Sequence, residues 1–260
     1  MEKMGTERLK QCFLKTLGNK LAGIYVHGSL AFGCFQPEKS DIDAIAVVKE
    51  PLSLEEKVQT IQELLAIWRF APEKGYEISV VLANVCRCFQ YPTPYELHFS
   101  KDWMERFQEN PASVCNELPK TDPDLAAHFA VARSQGIVLF GPPAESMFGK
   151  IPESTYLDSI LLDCSNCRET VRWEPVSTIL NLCRALSYLK DGIIRSKEEG
   201  GQWGVDFFTG DNRYLVRKAL ESYGSGRHNS FSRSLCDEFC QCAEKFITQW
   251  KKDWEPKEEF

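Results

Sequence analysis

An apolar run, Gly23-Ile24-Tyr25-Val26-His27, ends at the pair Gly28-Ser29, and eleven residues after Ser29 a second apolar run opens with Ser40-Asp41-Ile42-Asp43. This order narrows the fold more than any bulk property does. Side chains alternate along a strand, so Asp41 and Asp43 share one side while Ile42 points into a core. A third apolar run, Tyr76-Glu77-Ile78-Ser79-Val80-Val81-Leu82, carries one more acid near its start. Between the second and third runs, Ser53 reads as a helix cap with Glu56 three residues on, followed by Val58, Ile61, Leu64, Leu65 and Trp68 at helical spacing. Leu9, Cys12, Phe13 and Leu17 predict another helix ahead of the first strand, and Gly136–Pro143 reads as a later strand closed by a turn. Strands joined by crossing helices predict a mixed sheet covered by helices.

The pattern changes near residue 150. Leu157, Ile160, Leu161 and Cys164, then Val176, Ile179, Leu180, Cys183 and Leu186, then Leu215, Ala219 and Leu220 follow helical periods. Asp191-Gly192, Gly200-Gly201 and Gly224-Ser225-Gly226 read as breaks between helices, and the charged tail from Trp254 to Phe260 reads as frayed. The expectation is an α+β chain with two domains, 1–150 around a mixed sheet and 151–260 as an all-α bundle.

Two carboxylates side by side repel unless a cation lies between them, and oxygen donors of this kind suit Mg²⁺ carrying substrate phosphates. Asp41, Asp43 and Glu77 therefore form a candidate metal and catalytic set, with Gly28 and Ser29 as a phosphate-gripping turn. Each piece alone has a plainer reading, since Gly-Ser is a common turn pair and Asp-x-Asp often marks a solvated strand end. Their joint order on three strands favours chemistry.

At 260 residues with a net charge of −6, the chain has room for a substantial core and no basic surface that calls for nucleic acid. A negative cleft would instead draw in a cationic small molecule. A charged start and the lack of any apolar run of about 20 residues predict a cytoplasmic protein that neither enters nor crosses a membrane. The eleven cysteines read as reduced thiols, most of them small core residues. Cys164-x-x-Cys167 and the trio Cys236, Cys240 and Cys242 lack the knuckle spacing of a zinc ribbon. Four histidines look scattered, with no nucleophile motif around them.

Gly-Ser followed by Asp-x-Asp on the next strand resembles the nucleotidyltransferase superfamily. More closely, the chain resembles bacterial aminoglycoside adenylyltransferases that modify spectinomycin and streptomycin. The likeness extends through Tyr91-Pro92, Glu96-Leu97-His98-Phe99 and Trp103, then Asp122-Pro123-Asp124-Leu125, Ala132-Arg133 and Leu139-Phe140-Gly141-Pro142. It continues through Leu180-Asn181-Leu182-Cys183-Arg184, Gly192-Ile193-Ile194 and Lys197. The resemblance implies ATP as co-substrate, Ser29 at its phosphates, Mg²⁺ on Asp41 and Asp43 beside Glu77, and Glu77 as general base. It further implies Arg184 and Lys197 at the triphosphate, Trp103 and Glu174 at the drug, and a site in the cleft between the domains. Read alone, Arg184 could equally cap a buried carboxylate, Lys197 lie on a solvated face, Trp103 fill core and Glu174 open a helix. At the positions where dual-specific members carry Trp and Asp for streptomycin, ungapped counting finds Ser165 and Thr170. A spectinomycin-like acceptor is therefore expected ahead of streptomycin, with a monomer as the working unit. The same chemistry on another small alcohol or on a protein acceptor is the alternative.

Overall fold

The computed structural model describes residues 2–117, 120–225 and 229–254. The chain divides into two compact units, Met1–Ile151 and Pro152–Phe260. Unit 1 runs α1 (Glu2–Leu17), β1 (Leu21–Val26), α2 (Gly28–Ala31), β2 (Ile42–Val48), α3 (Leu54–Ile67), β3 (Tyr76–Leu82), α4 (Ala83–Arg87), β4 (Thr93–Pro94) and β5 (Leu97–Phe99). It continues through α5 (Met104–Glu109), α6 (Pro111–Glu117), β6 (Thr121–Asp122), α7 (Leu125–Gln135), β7 (Ile137–Phe140) and α8 (Ala144–Met147). Five strands form one mixed sheet in the order β5-β3-β2-β1-β7, while β4 and β6 pair separately. Only β2 and β3 are parallel in the large sheet, joined by the crossover through α3.

Strand alternation sorts the side chains onto two faces. Ile24 and Val26, Ile42, Ala44 and Ala46, Ile78 and Val80, and Leu97 and Phe99 pack with Leu9, Cys12, Phe13 and Leu17 of α1 and with Ile61 and Leu64 of α3. Tyr25, Ile45, Val47 and Val81 face the other way, against Leu125, Phe129 and Ala132 of α7 and Met147 of α8. Asp43 and Glu77 fall in the second set of alternating positions, at the end of that face which the apolar cluster leaves open. The expected cap of α3 is present as a full capping box: Ser53 Oγ accepts from the Glu56 amide and the Glu56 carboxylate accepts from the Ser53 amide.

Unit 2 is all helical: α9 (Glu153–Leu162), α10 (Cys167–Thr170), α11 (Pro175–Asp191), α12 (Lys197–Phe207), α13 (Gly210–Ser225) and α14 (Arg233–Asp253). Helix α11 is its spine, with Ile179, Leu180, Leu182, Cys183, Ala185, Leu186, Tyr188 and Leu189 all buried. It stops at Gly192, whose φ of +70° is the left-handed turn that glycine adopts freely. Helix α14 adds Cys236, Phe239, Cys240 and Ala243 at helical spacing, and Arg168 of α10 forks onto Glu244.

One expected break is wrong. Gly200-Gly201 lies inside α12, not between helices, and both residues are buried. The reason is close approach: a Cβ at Gly200 would lie 2.9 Å from the Arg184 Cα, and one at Gly204 would lie 2.6 Å from the Cys183 sulfur. These glycines let α12 press against α11. Of the expected frayed tail, residues 255–260 lie outside the described residues, as does Gly226, whereas Trp254 is the C-cap of α14.

Candidate active site

Three carboxylates converge in unit 1. Parallel pairing sets Asp43 of β2 directly beside Glu77 of β3, and Asp41 stands just before β2. One carboxylate oxygen from each of Asp41, Asp43 and Glu77 lies within 4.8 Å of the other two, and all three residues are half-buried. Among the described residues this is the one grouping of His, Cys, Asp and Glu compact enough to hold a metal ion. An all-carboxylate donor set of this size fits a hard divalent cation such as Mg²⁺.

The Gly28-Ser29 turn is built against these acids. Gly28 has φ +61°, and a Cβ there would overlap the Asp43 carboxylate, so only glycine brings the chain this close. The His27 amide donates to the Asp43 carbonyl at 3.0 Å, fastening the end of β1 to β2. Ser29 Oγ is buried and has no hydrogen-bond partner among the described residues. A buried hydroxyl in that state costs free energy until a ligand satisfies it.

The histidines are not scattered, contrary to the reading of the sequence. His27 is buried at the end of β1, with its ring centroid 4.8 Å from that of His128 on α7. Burial, then the neighbouring His128, holds the His27 imidazole well below its ordinary pKa and so neutral. His98 of β5 pairs in register with Ser79, and its Nδ1 lies 3.2 Å from the Ser79 hydroxyl. Burial draws His98 down as well, opposed by the charges of Glu77 and Asp122. His98 thus feels the charge of Glu77, while His27 and His128 pair with each other next to the Gly28 turn. Their gathering depends on strand pairing and on where α7 lands, neither of which any local spacing encodes.

The remaining expected residues divide between the units. Trp103 sits half-buried at the end of a 3-10 turn, packed on the α1–α3 side of the sheet, with the Arg106 guanidinium 5.1 Å from its ring centroid. That placement packs part of its ring against the α1–α3 cluster. Glu174 is the exposed N-cap of α11, and its neighbour Trp173 is 86% exposed. Arg184 pairs with Asp163 at 3.2 Å, an exposed carboxylate and not the buried one of the capping alternative, and its Nε is buried without a partner among the described residues. Lys197 opens α12 behind a Ser196–Glu199 capping box and donates to the Ser177 hydroxyl at 3.1 Å. A cation in the first turn of a helix works against the macrodipole. Thr170, one of the two positions without the streptomycin residues, accepts from Thr178 at 3.2 Å and serves as a clasp on α11.

Residues 7–110 match the family model described as nucleotidyltransferase domain, and residues 146–249 match the one described as aminoglycoside adenylyltransferase, C-terminal domain. The chain is 26% identical over 212 residues to a spectinomycin 9-adenylyltransferase of Staphylococcus aureus, covering 79% of each. It is 24% identical over 210 residues to an aminoglycoside (3'') (9) adenylyltransferase of Escherichia coli, covering 78% of each. The crystal structure of a spectinomycin adenyltransferase of Enterococcus faecalis with ATP and spectinomycin shares the fold, with a TM-score of 0.80 at 20% identity over 94% of this chain and 98% of that one. Two family models match successive stretches, a nucleotidyltransferase domain and then the C-terminal domain of aminoglycoside adenylyltransferases, and the relatives match along most of the chain's length.

Proposed function

We propose that this protein transfers AMP from ATP to a hydroxyl of a cationic aminocyclitol or aminoglycoside, with a spectinomycin-like acceptor favoured, releasing pyrophosphate. The observation that carries the reading is the convergence of Asp41, Asp43 and Glu77 within 4.8 Å, beside a turn where any side chain would clash with Asp43. The relatives' names point the same way.

Asp41 and Asp43, with Glu77 beside them, would hold Mg²⁺, which when bound neutralises charge on the phosphates and polarises the α-phosphate. Glu77 takes the proton from the acceptor hydroxyl, whose oxygen forms the new bond to the α-phosphorus as the bond to pyrophosphate breaks. Ser29 Oγ hydrogen-bonds a phosphate oxygen. Arg184 and Lys197 of unit 2 steady the negative charge of the leaving pyrophosphate. Glu174 offers its carboxylate to a drug ammonium, and the overall charge of −6 favours the approach of a cation.

The test is pyrophosphate release from ATP with Mg²⁺ and spectinomycin, streptomycin or neither, for wild type and Glu77→Gln. The expected result is release with spectinomycin, reduced by about 10²–10⁴-fold in the variant because glutamine cannot accept the proton. Silence with both drugs, alongside measurable Mg-ATP binding, would remove the proposed acceptor and leave nucleotidyl transfer to another alcohol.

A further inference from the structure

Helix α11 is largely buried, with ten of its seventeen residues in that state. Against that background, Glu174 at its N-cap and Ser177, Asn181 and Arg184 within it follow one another at spacings of three, four and three. Such spacing places all four on one face, so a largely apolar spine carries a polar stripe there. Two members are already expected at ligands, Glu174 at the drug and Arg184 at the triphosphate, and Ser177 holds Lys197. Asn181 has no assigned role.

Its surroundings give it one. Among the described residues, three buried side-chain polar atoms lack a hydrogen-bond partner: Ser29 Oγ, Arg184 Nε and Asn181 Oδ1. The first two belong to residues proposed to grip the nucleotide. Folded proteins leave few such atoms unpaired, and those that remain call for an explanation. An unmet acceptor one helical turn from an unmet arginine donor is explained if both are met by the same bound substrates.

We propose that Asn181 is a ligand-contacting residue of this site, its side-chain carbonyl accepting a hydrogen bond from a substrate hydroxyl. The inference rests on the adenylyltransferase reading. Ionised phosphates are acceptors and cannot satisfy Oδ1, so the donor comes from elsewhere on the substrates. Along the helix axis Asn181 lies about 4.5 Å from Arg184 and about 10 Å from Glu174, between the phosphate and drug ends of the stripe. Two hydroxyl sources suit that position, the ribose of ATP and the acceptor alcohol.

Asn181→Leu separates this role from a structural one. The variant removes an unpaired polar atom from the free protein, so its Tm is expected to equal or exceed that of wild type. Binding of Mg-ATP or of spectinomycin, measured by calorimetry, is expected to weaken by roughly ten- to hundredfold, because the substrate hydroxyl loses its acceptor. Weaker Mg-ATP with unchanged 2',3'-dideoxy-ATP assigns the contact to the ribose, and weaker spectinomycin assigns it to the acceptor alcohol. Equal losses with ATP and its dideoxy analogue overturn the hydroxyl assignment. Wild-type constants for all three ligands overturn the proposal, with or without a lower Tm. Asn181→Ala carries the same comparison if leucine does not fit. Failure of the wild type itself to bind Mg-ATP and spectinomycin would overturn the functional reading and this inference together.

Discussion

A methyl group on residue 28 would collide with the carboxylate of Asp43, and the backbone there already occupies left-handed space at φ +61°. Gly28→Ala should therefore act twice. Left-handed strain costs about 1–2 kcal/mol, and the displaced Asp43 leaves the acid group. The expected outcome is a lower Tm together with loss of the thermal stabilisation that saturating Mg-ATP confers on wild type. A variant that kept the full Mg-ATP shift would show that Asp43 does not need the glycine. Glycine-serine and the acids were legible at this scale because their chemistry and spacing are local. The histidines were not: His27, His98 and His128 are far apart in sequence, and only the β3–β5 register and the packing of α7 unite them. Trp103 was illegible for another reason, since an aromatic beside a family motif gives no sign of which sheet face it will cover.

Helix by helix, the boundaries followed from capping and periodicity, and the exceptions were glycines with two meanings. Gly192 ends α11 as its sequence context suggests. Gly200-Gly201 looks like a break, but with Gly204 it forms a smooth flank on which α11 and α13 pack. The sign of a mutation distinguishes the two roles. Alanine in place of an exposed helical glycine stabilises by about 1 kcal/mol. At Gly200 the obstacle is the Arg184 backbone at 2.9 Å, which cannot rotate away. Gly200→Ala should instead destabilise by about 1–3 kcal/mol, as overpacking does, and a fall in the urea midpoint would register it. An unchanged or higher midpoint would contradict the packing account. Ser53→Ala, which removes the reciprocal cap of α3, should lower stability by about 1 kcal/mol in the same assay.

For the whole molecule, the mixed sheet followed by a helical bundle was readable because each hydrophobic period matches the element it builds. The cysteines belong to that picture. All eleven are free thiols, and seven are buried as small core side chains. Burial pushes the thiols of Cys12 and Cys164 up to about 12 and raises those of Cys86 and Cys183 further. An unfolded thiol ionises near pH 8.5. The stability these groups contribute is therefore complete below that value and declines as pH rises toward 12. Each thiol contributes up to about 1.4 kcal/mol of loss per pH unit in that window. Thermal unfolding from pH 8 to 10.5 should show a steep fall in Tm, made shallower by Cys183→Ala relative to its own value at pH 8. Parallel curves for variant and wild type would contradict it.

The central claim is that Glu77, held beside Asp41 and Asp43, deprotonates a hydroxyl that then takes AMP. The most direct measurement is the mass spectrum of spectinomycin after incubation with ATP, Mg²⁺ and either wild type or Glu77→Gln. The account predicts one added AMP with wild type and almost none with the variant. Equal adenylylation by both proteins, or an unmodified drug with each, would contradict it.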